Sequence, residues 1–163
     1  MSNVSGSRYG SEMDYSGGYA LVLALHLLSV AFLVGPAAVA AATSTRHVRA
    51  GRAEALRDAG RTTRLYTLAT VVTVVLGSAM VGLGDVGGQW SMGQAWISAS
   101  YALWFVAVAL TLALVVPAQT KAADALEAGQ DPGSQVGRIA AGAGLALLAW
   151  TAIIVLMVFK PGA

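Results

Sequence analysis

The stretch from Tyr19 to Ala42 is apolar, carries a lone histidine, His26, and leads into an arginine-rich segment from Arg46 to Arg64. A run of this length is a membrane-spanning helix, because about 20 residues at about 1.5 Å each cross a hydrocarbon core about 30 Å thick. Three more apolar runs follow, at about Leu65 to Gly84, Ala99 to Ala118 and Ile139 to Phe159. The expected fold is an all-α membrane protein, a four-transmembrane-helix bundle. Residues 19–163 form the transmembrane domain (spans about 19–42, 65–84, 99–118 and 139–159), and residues 1–18, polar and rich in Ser and Gly, form a flexible extracytoplasmic tail. With 56% hydrophobic and 11% charged residues in 163, these are not the proportions of a soluble globule.

The first run also has the outline of a signal peptide, with Leu21 to Val34 as its apolar core and Pro36 to Ala42 as a small-residue cleavage region. A long, weakly charged leader and the arginines immediately downstream favour a retained span instead. Six of the ten basic residues, Arg46, Arg49, Arg52, Arg57, Arg61 and Arg64, fall in the first connection. Positive charge is held on the cytoplasmic side, so the first and third connections are expected inside and both termini outside. The six arginines are the candidate lipid-headgroup contacts. Trp90 and Trp96, in the Gly-rich second connection, are the candidate interface anchors. Nothing resembling a nucleic-acid motif accompanies the arginines, so nucleic acid is not an expected partner. The partners expected are the bilayer and other membrane-protein subunits. Because the chain has no cysteine, thiolate metal sites, cysteine nucleophiles and disulfide frameworks are excluded.

Small and polar residues, rather than hydrophobicity, choose the packing faces of helices in lipid. On the second span Thr63, Tyr66, Thr70, Thr73, Gly77, Met80 and Gly84 recur at steps of three and four. On the first, the same spacing runs through Tyr19, Val22, His26, Ser29, Leu33, Pro36 and Ala40. Gly137, Ala141, Gly144, Leu148, Thr151 and Val155 give the corresponding seam on the fourth span, and Tyr101, Trp104, Val108 and Thr111 a bulkier one on the third. Pro36 predicts a bend near Phe32 to Pro36, because it removes a backbone donor and crowds the carbonyl four residues earlier. No internal sequence repeat stands out, although two hairpins joined by an outer loop are compatible with pseudo-symmetry.

An ionisable group inside the membrane is a functional candidate by default. His26 is read either as a neutral anchor bonded to a neighbouring helix or as a ligand for haem or copper, with Met80 the nearest second ligand by depth and Met157 a poorer one. The anchor is the favoured reading and the cofactor is left unknown. No catalytic constellation, phosphate loop or zinc motif is found. His47, among the arginines, reads as solvated, and Asp85 as a cap of the outer loop with cation binding as the alternative.

The four-span body resembles the bacterial predicted integral-membrane family called domain of unknown function 2269. The resemblance rests on His26-Leu27-Leu28 followed by Gly35, the arginine-rich connection, the run from Gly88 to Trp96, and the ending Leu156-Met157-Val158-Phe159-Lys160-Pro161-Gly162. It implies a small helical bundle without a settled activity. The first-span histidine also looks like that of copper-resistance membrane domains and of haem-associated membrane protoporphyrinogen oxidases, from which this chain departs by lacking other histidines in its spans. The Ala, Gly, Val and Arg bias points to a GC-rich bacterium, hence the cytoplasmic membrane. The expected role is a non-catalytic accessory or interaction subunit of a larger membrane assembly such as a respiratory complex. The alternatives are a redox protein using His26 and a small transporter or channel built on the threonine seam and Asp85.

Overall fold

A computed structural model describes residues 17–83 and 91–162. The chain forms α1 (Gly17–Ser29), a π-helical turn (Val30–Val34), α2 (Gly35–Arg49), α3 (Ala53–Leu83), α4 (Ala95–Leu110), a second π-helical turn (Thr111–Val115), α5 (Val116–Glu127) and α6 (Gly133–Phe159). The π-turns do not interrupt the rods, so the four apolar helices are Gly17–Arg49, Ala53–Leu83, Ala95–Glu127 and Gly133–Phe159, each long enough to cross a bilayer. No strand occurs among the described residues, and the fold is an all-α four-span bundle. The shortest rod has 27 residues. At about 1.5 Å per residue it reaches about 40 Å, which exceeds the hydrocarbon core and carries helix into the interface. Asp85 and Trp90, and all but the last two residues of the expected N-terminal tail, lie outside the described residues.

The long polar connections expected at the arginine-rich end shrink to tight turns. Ala50 to Arg52 separates α2 from α3, and Ala128 to Pro132 separates α5 from α6. Both helices stop in the same way, at a glycine in the left-handed region, Gly51 (φ 65°) and Gly129 (φ 66°). The N–H after each glycine reaches back five residues, Arg52 to the His47 carbonyl (3.0 Å) and Gln130 to the Ala125 carbonyl (2.8 Å). Only glycine enters this conformation without a Cβ penalty, so these two positions set the helix ends.

The bend expected from Pro36 takes the form of the first π-turn, and Pro117 produces a second one that the sequence reading did not anticipate. Each turn ends one residue before an Xaa-Pro step, Leu33-Val34-Gly35-Pro36-Ala37 in the first span and Leu114-Val115-Val116-Pro117-Ala118 in the third. A proline removes a donor from the ladder, and a π-turn absorbs the mismatch by inserting about one residue. The consequence is a shift of face. Before the turn the buried residue of the first span is His26, on the expected stripe; from the turn's last residue onward Val34, Ala37, Ala41, Ser44 and Val48 are buried, the first three one position on from the expected Leu33, Pro36 and Ala40. The two hairpins thus share two local features, a π-turn ahead of a proline in the first helix and a left-handed glycine where that helix stops.

The first span packs on the second and fourth, and the third span also packs on the second and fourth, giving a four-cornered bundle. At its arginine-rich end Leu56, Ile139, Val48, Val115, Ala122 and Ala123 form a closed apolar core. The fourth span corrects the expected seam. Gly144 and Thr151 face outward, while Ile139, Gly142, Ala143, Ala146, Ala149 and Ile153 face the bundle. Gly142 explains the choice: a Cβ there would lie 2.8 Å from Val115 Cγ2 and 3.0 Å from Leu114 Cδ2, whereas one at Gly144 meets nothing within 4 Å. The second π-turn holds Leu114 and Val115 so close to α6 that only a side-chain-free face fits against it.

Candidate functional site

The bundle interior combines alanines with polar side chains, nearly all of them brought to one face of α3. Thr63, Thr67, Thr70 and Thr73 are buried along that helix, with Gly77 continuing the line. Three polar clusters form around it at different depths.

The cluster nearest the arginine-rich end centres on Gln119, which is fully buried. Its Nε2 donates to Ser44 Oγ (2.7 Å) and to Thr63 Oγ1 (3.3 Å), joining the third, first and second spans. The Ser44 hydroxyl in turn donates to the Ala40 carbonyl at 2.6 Å. Gln119 Oε1 is buried without a partner and rests over Gly60, 3.6 Å from where a Cβ would stand. The sequence reading placed Gln119 in a polar connection. Its position two residues after Pro117, in the part of α5 that the second π-turn rotates inward, was the signal available.

The middle cluster pairs two seams that the sequence kept apart. Trp104 Nε1 donates to Thr70 Oγ1 (3.1 Å), and Thr70 donates to the Thr67 carbonyl (2.6 Å). Indole N–H groups inside a membrane need such an acceptor, and a threonine bonded back to its own helix still has lone pairs to offer.

The outer cluster contains His26, which is 6% exposed. Its Nδ1 lies 3.0 Å from the Thr73 carbonyl oxygen. Since a carbonyl only accepts, Nδ1 carries the proton and Nε2 keeps its lone pair. The ring lies against Gly77, where a Cβ would come within 3.1 Å of Cε1. Ser29, one turn on, donates to the His26 carbonyl at 2.7 Å. Thr73 Oγ1 is buried with no partner, unlike Thr70 and Thr111, which bond their own helices. Met80 is half-buried one turn beyond Gly77 on α3, and Met157 is half-buried on α6. No cluster of three His, Asp or Glu side chains occurs among the described residues.

Two of the other expected sites are placed differently. Arg57 is an internal clamp rather than a headgroup contact, because its Nε and Nη2 bond the Glu127 carboxylate at 2.7 and 2.6 Å and Nη2 also bonds Asp124 at 2.8 Å. Arg46, Arg49, Arg52, Arg61 and Arg64 are exposed. Trp96 is 7% exposed and packs into the bundle, with its N–H on Gln94 Oε1 at 3.2 Å, so it does not project to headgroups. With its N–H already met by Gln94, the indole gains more from burying its ring than from keeping one polar atom at the interface.

The Arg57 hydrogen bonds hold the Glu127 carboxyl below its ordinary value of 4.5, and the two carboxylates push the guanidinium up. A lowered carboxyl contributes stability that is complete above its ordinary value and fades as pH falls through the lowered one. Protection of the amides in the last turn of α5, taken relative to their intrinsic exchange at each pH, should therefore fall on acidification below pH 4.5, and Arg57→Gln should abolish that loss of protection. The pair is exposed, so salt should weaken it as well.

Length, four apolar rods and a polar interior define a small multi-pass integral membrane protein. The chain belongs to the family of predicted integral membrane proteins known as DUF2269, which it matches over residues 20–161. No curated protein and no solved structure matches it.

Proposed function

We propose that the protein is a non-catalytic accessory or interaction subunit of a larger assembly in the bacterial cytoplasmic membrane, a respiratory complex being the kind of assembly it suits. The observation that carries this reading is the outward face of α6. Ala140, Ala141, Gly144 and Thr151, with Leu145 and Leu148, line a shallow open groove there. Small residues facing lipid let another helix approach its backbone closely, which is the main source of association between helices in a membrane. Extraction in a mild detergent followed by mass spectrometry should recover stoichiometric partners, and Gly144→Leu should release them without unfolding the bundle. Recovery of the bare chain from every mild extraction sinks the proposal.

In this reading the arginine-rich turns face the cytoplasm, both termini and the 84–94 connection face outward, and residues 19–163 act as one transmembrane unit preceded by a flexible tail. A reporter enzyme fused after Gly133 should then behave as cytoplasmic and one inserted after Gly93 as external. The reverse pattern overturns the orientation.

One observation supports a second reading, a haem- or copper-binding redox protein. The Nδ1–H of His26 donates to a backbone carbonyl, the arrangement that orients a ligating imidazole and leaves Nε2 for a metal. Met80 is then the nearest sulfur along the same helix face. Clean protein should show a Soret band, or near-stoichiometric copper, that His26→Ala abolishes at unchanged helical content. Colourless, metal-free protein that retains its partners leaves His26 as a structural anchor.

A further inference from the structure

Where the four spans meet, a small, partly open cleft of about 10 Å³ is lined by Ala37, Ala38 and Ala41 of the first span, Thr67 of the second, Thr111 of the third, and Ala143, Ala146, Leu147 and Trp150 of the fourth. We propose that it binds one ordered water molecule, which hydrogen-bonds Thr67, Thr111 and Trp150 and so ties the second, third and fourth spans together where all four meet.

Size and chemistry both fit. A water needs a cavity of about 10–15 Å³ and two to four polar partners, whereas purely apolar voids stay dry. The three polar side chains offer complementary groups. Thr111 donates its hydroxyl proton to the Ala107 carbonyl at 2.7 Å, so towards the cleft it can only accept. The Thr67 hydroxyl and the Trp150 indole N–H enter no hydrogen bond with any described residue. The contrast with the two indoles of the third span is informative: Trp104 donates to Thr70 and Trp96 to Gln94. A water accepting from Thr67 and Trp150 and donating to Thr111 satisfies three groups at once. Two other buried atoms on the α3 face lack partners, Gln119 Oε1 beside Thr63 and Thr73 Oγ1 near His26. The cleft lies between them along α3, so the water supplies the middle step of a polar file that runs from Gln119 to His26.

The position is also where the backbone makes room. Ala37 follows the first π-turn and Thr111 opens the second. Ala37, Ala38 and Ala41 of the first span and Ala143 and Ala146 of the fourth are too short to fill the space between them.

Water-edited solid-state NMR on the full chain in lipid bilayers tests this directly. Magnetisation from water should reach the methyl groups of Thr67 and Thr111 earlier than those of Val72 and Val75, which face lipid on the same helix as Thr67. Thr67→Val keeps the volume and removes the hydroxyl, so transfer to Thr111 should fall to the level of the lipid-facing valines. Trp150→Phe should reduce it in the same direction. Thr67 and Thr111 as dry as Val72 and Val75 in the wild-type protein overturns the proposal, whatever the variants do. Transfer to Thr111 unchanged in folded Thr67→Val overturns it too.

Discussion

Gly142→Leu should be among the most damaging single substitutions in the chain, while Gly144→Leu, half a turn away, should leave the folded bundle nearly as stable as before. The first alanine-sized atom at position 142 already meets Val115 at 2.8 Å and Leu114 at 3.0 Å. Both neighbours belong to or adjoin the second π-turn, whose backbone is held by Pro117 and by packing against α6, so they have little freedom to retreat. Overpacking of this kind costs about 1–3 kcal/mol for modest additions and more where a backbone must move, so at least about 3 kcal/mol is expected for leucine. The same leucine at 144 enters the lipid-facing groove and only replaces lipid contacts. Reversible unfolding in mixed micelles, read by tryptophan fluorescence, separates the two. Equal loss at both positions would falsify the assignment of the inward face of α6.

The second large effect concerns Gln119, and it depends on what replaces the side chain. Gln119→Ala should lose about 2–4 kcal/mol: it opens a cavity at a fully buried position and removes the bonds that reach Ser44 and Thr63. Gln119→Leu should lose much less. Leucine fills most of the volume, and the partners left behind are not stranded, since Ser44 already donates to Ala40 and a threonine hydroxyl can bond its own helix. The orphaned Oε1, which the wild-type protein buries without a partner, disappears in both variants. If leucine proves as costly as alanine, the amide contributes through its hydrogen bonds rather than through its volume, and the argument from packing is wrong.

Much of this protein was legible in the chain. Four uncharged runs in 163 residues admit few solutions, because a membrane leaves the backbone no partner but itself and a helix satisfies it locally. The same locality made the threonine face of α3 readable: Thr70, Thr73 and Gly77 share a stripe by helical spacing alone, and all three meet the first or third span. His26 stood out because an imidazole in hydrocarbon must find a partner, although the partner, the Thr73 carbonyl, is a backbone group that no residue pattern advertises.

What only the tertiary structure decided has a common cause, which is that helical spacing predicts a face only while the helix stays α. Each π-turn rotates everything downstream, which is why the first span buries Ala37 and Ala41 instead of Pro36 and Ala40, and why Gln119 moves from an expected connection into the core. The fourth span shows a different limit. It carries small residues on opposite sides, Gly144 outside and Gly142 inside, and spacing alone gives no reason to prefer either. The choice falls to Leu114 and Val115 of another helix, which press on α6 at one level only. Arg57 was likewise one of six similar arginines until the third span ran on as helix to Glu127 and brought two carboxylates within reach. Sequence determined which segments enter the membrane and which atoms there need partners; the pairing of those atoms was set by how the rods rotate against one another, a property of all four helices together.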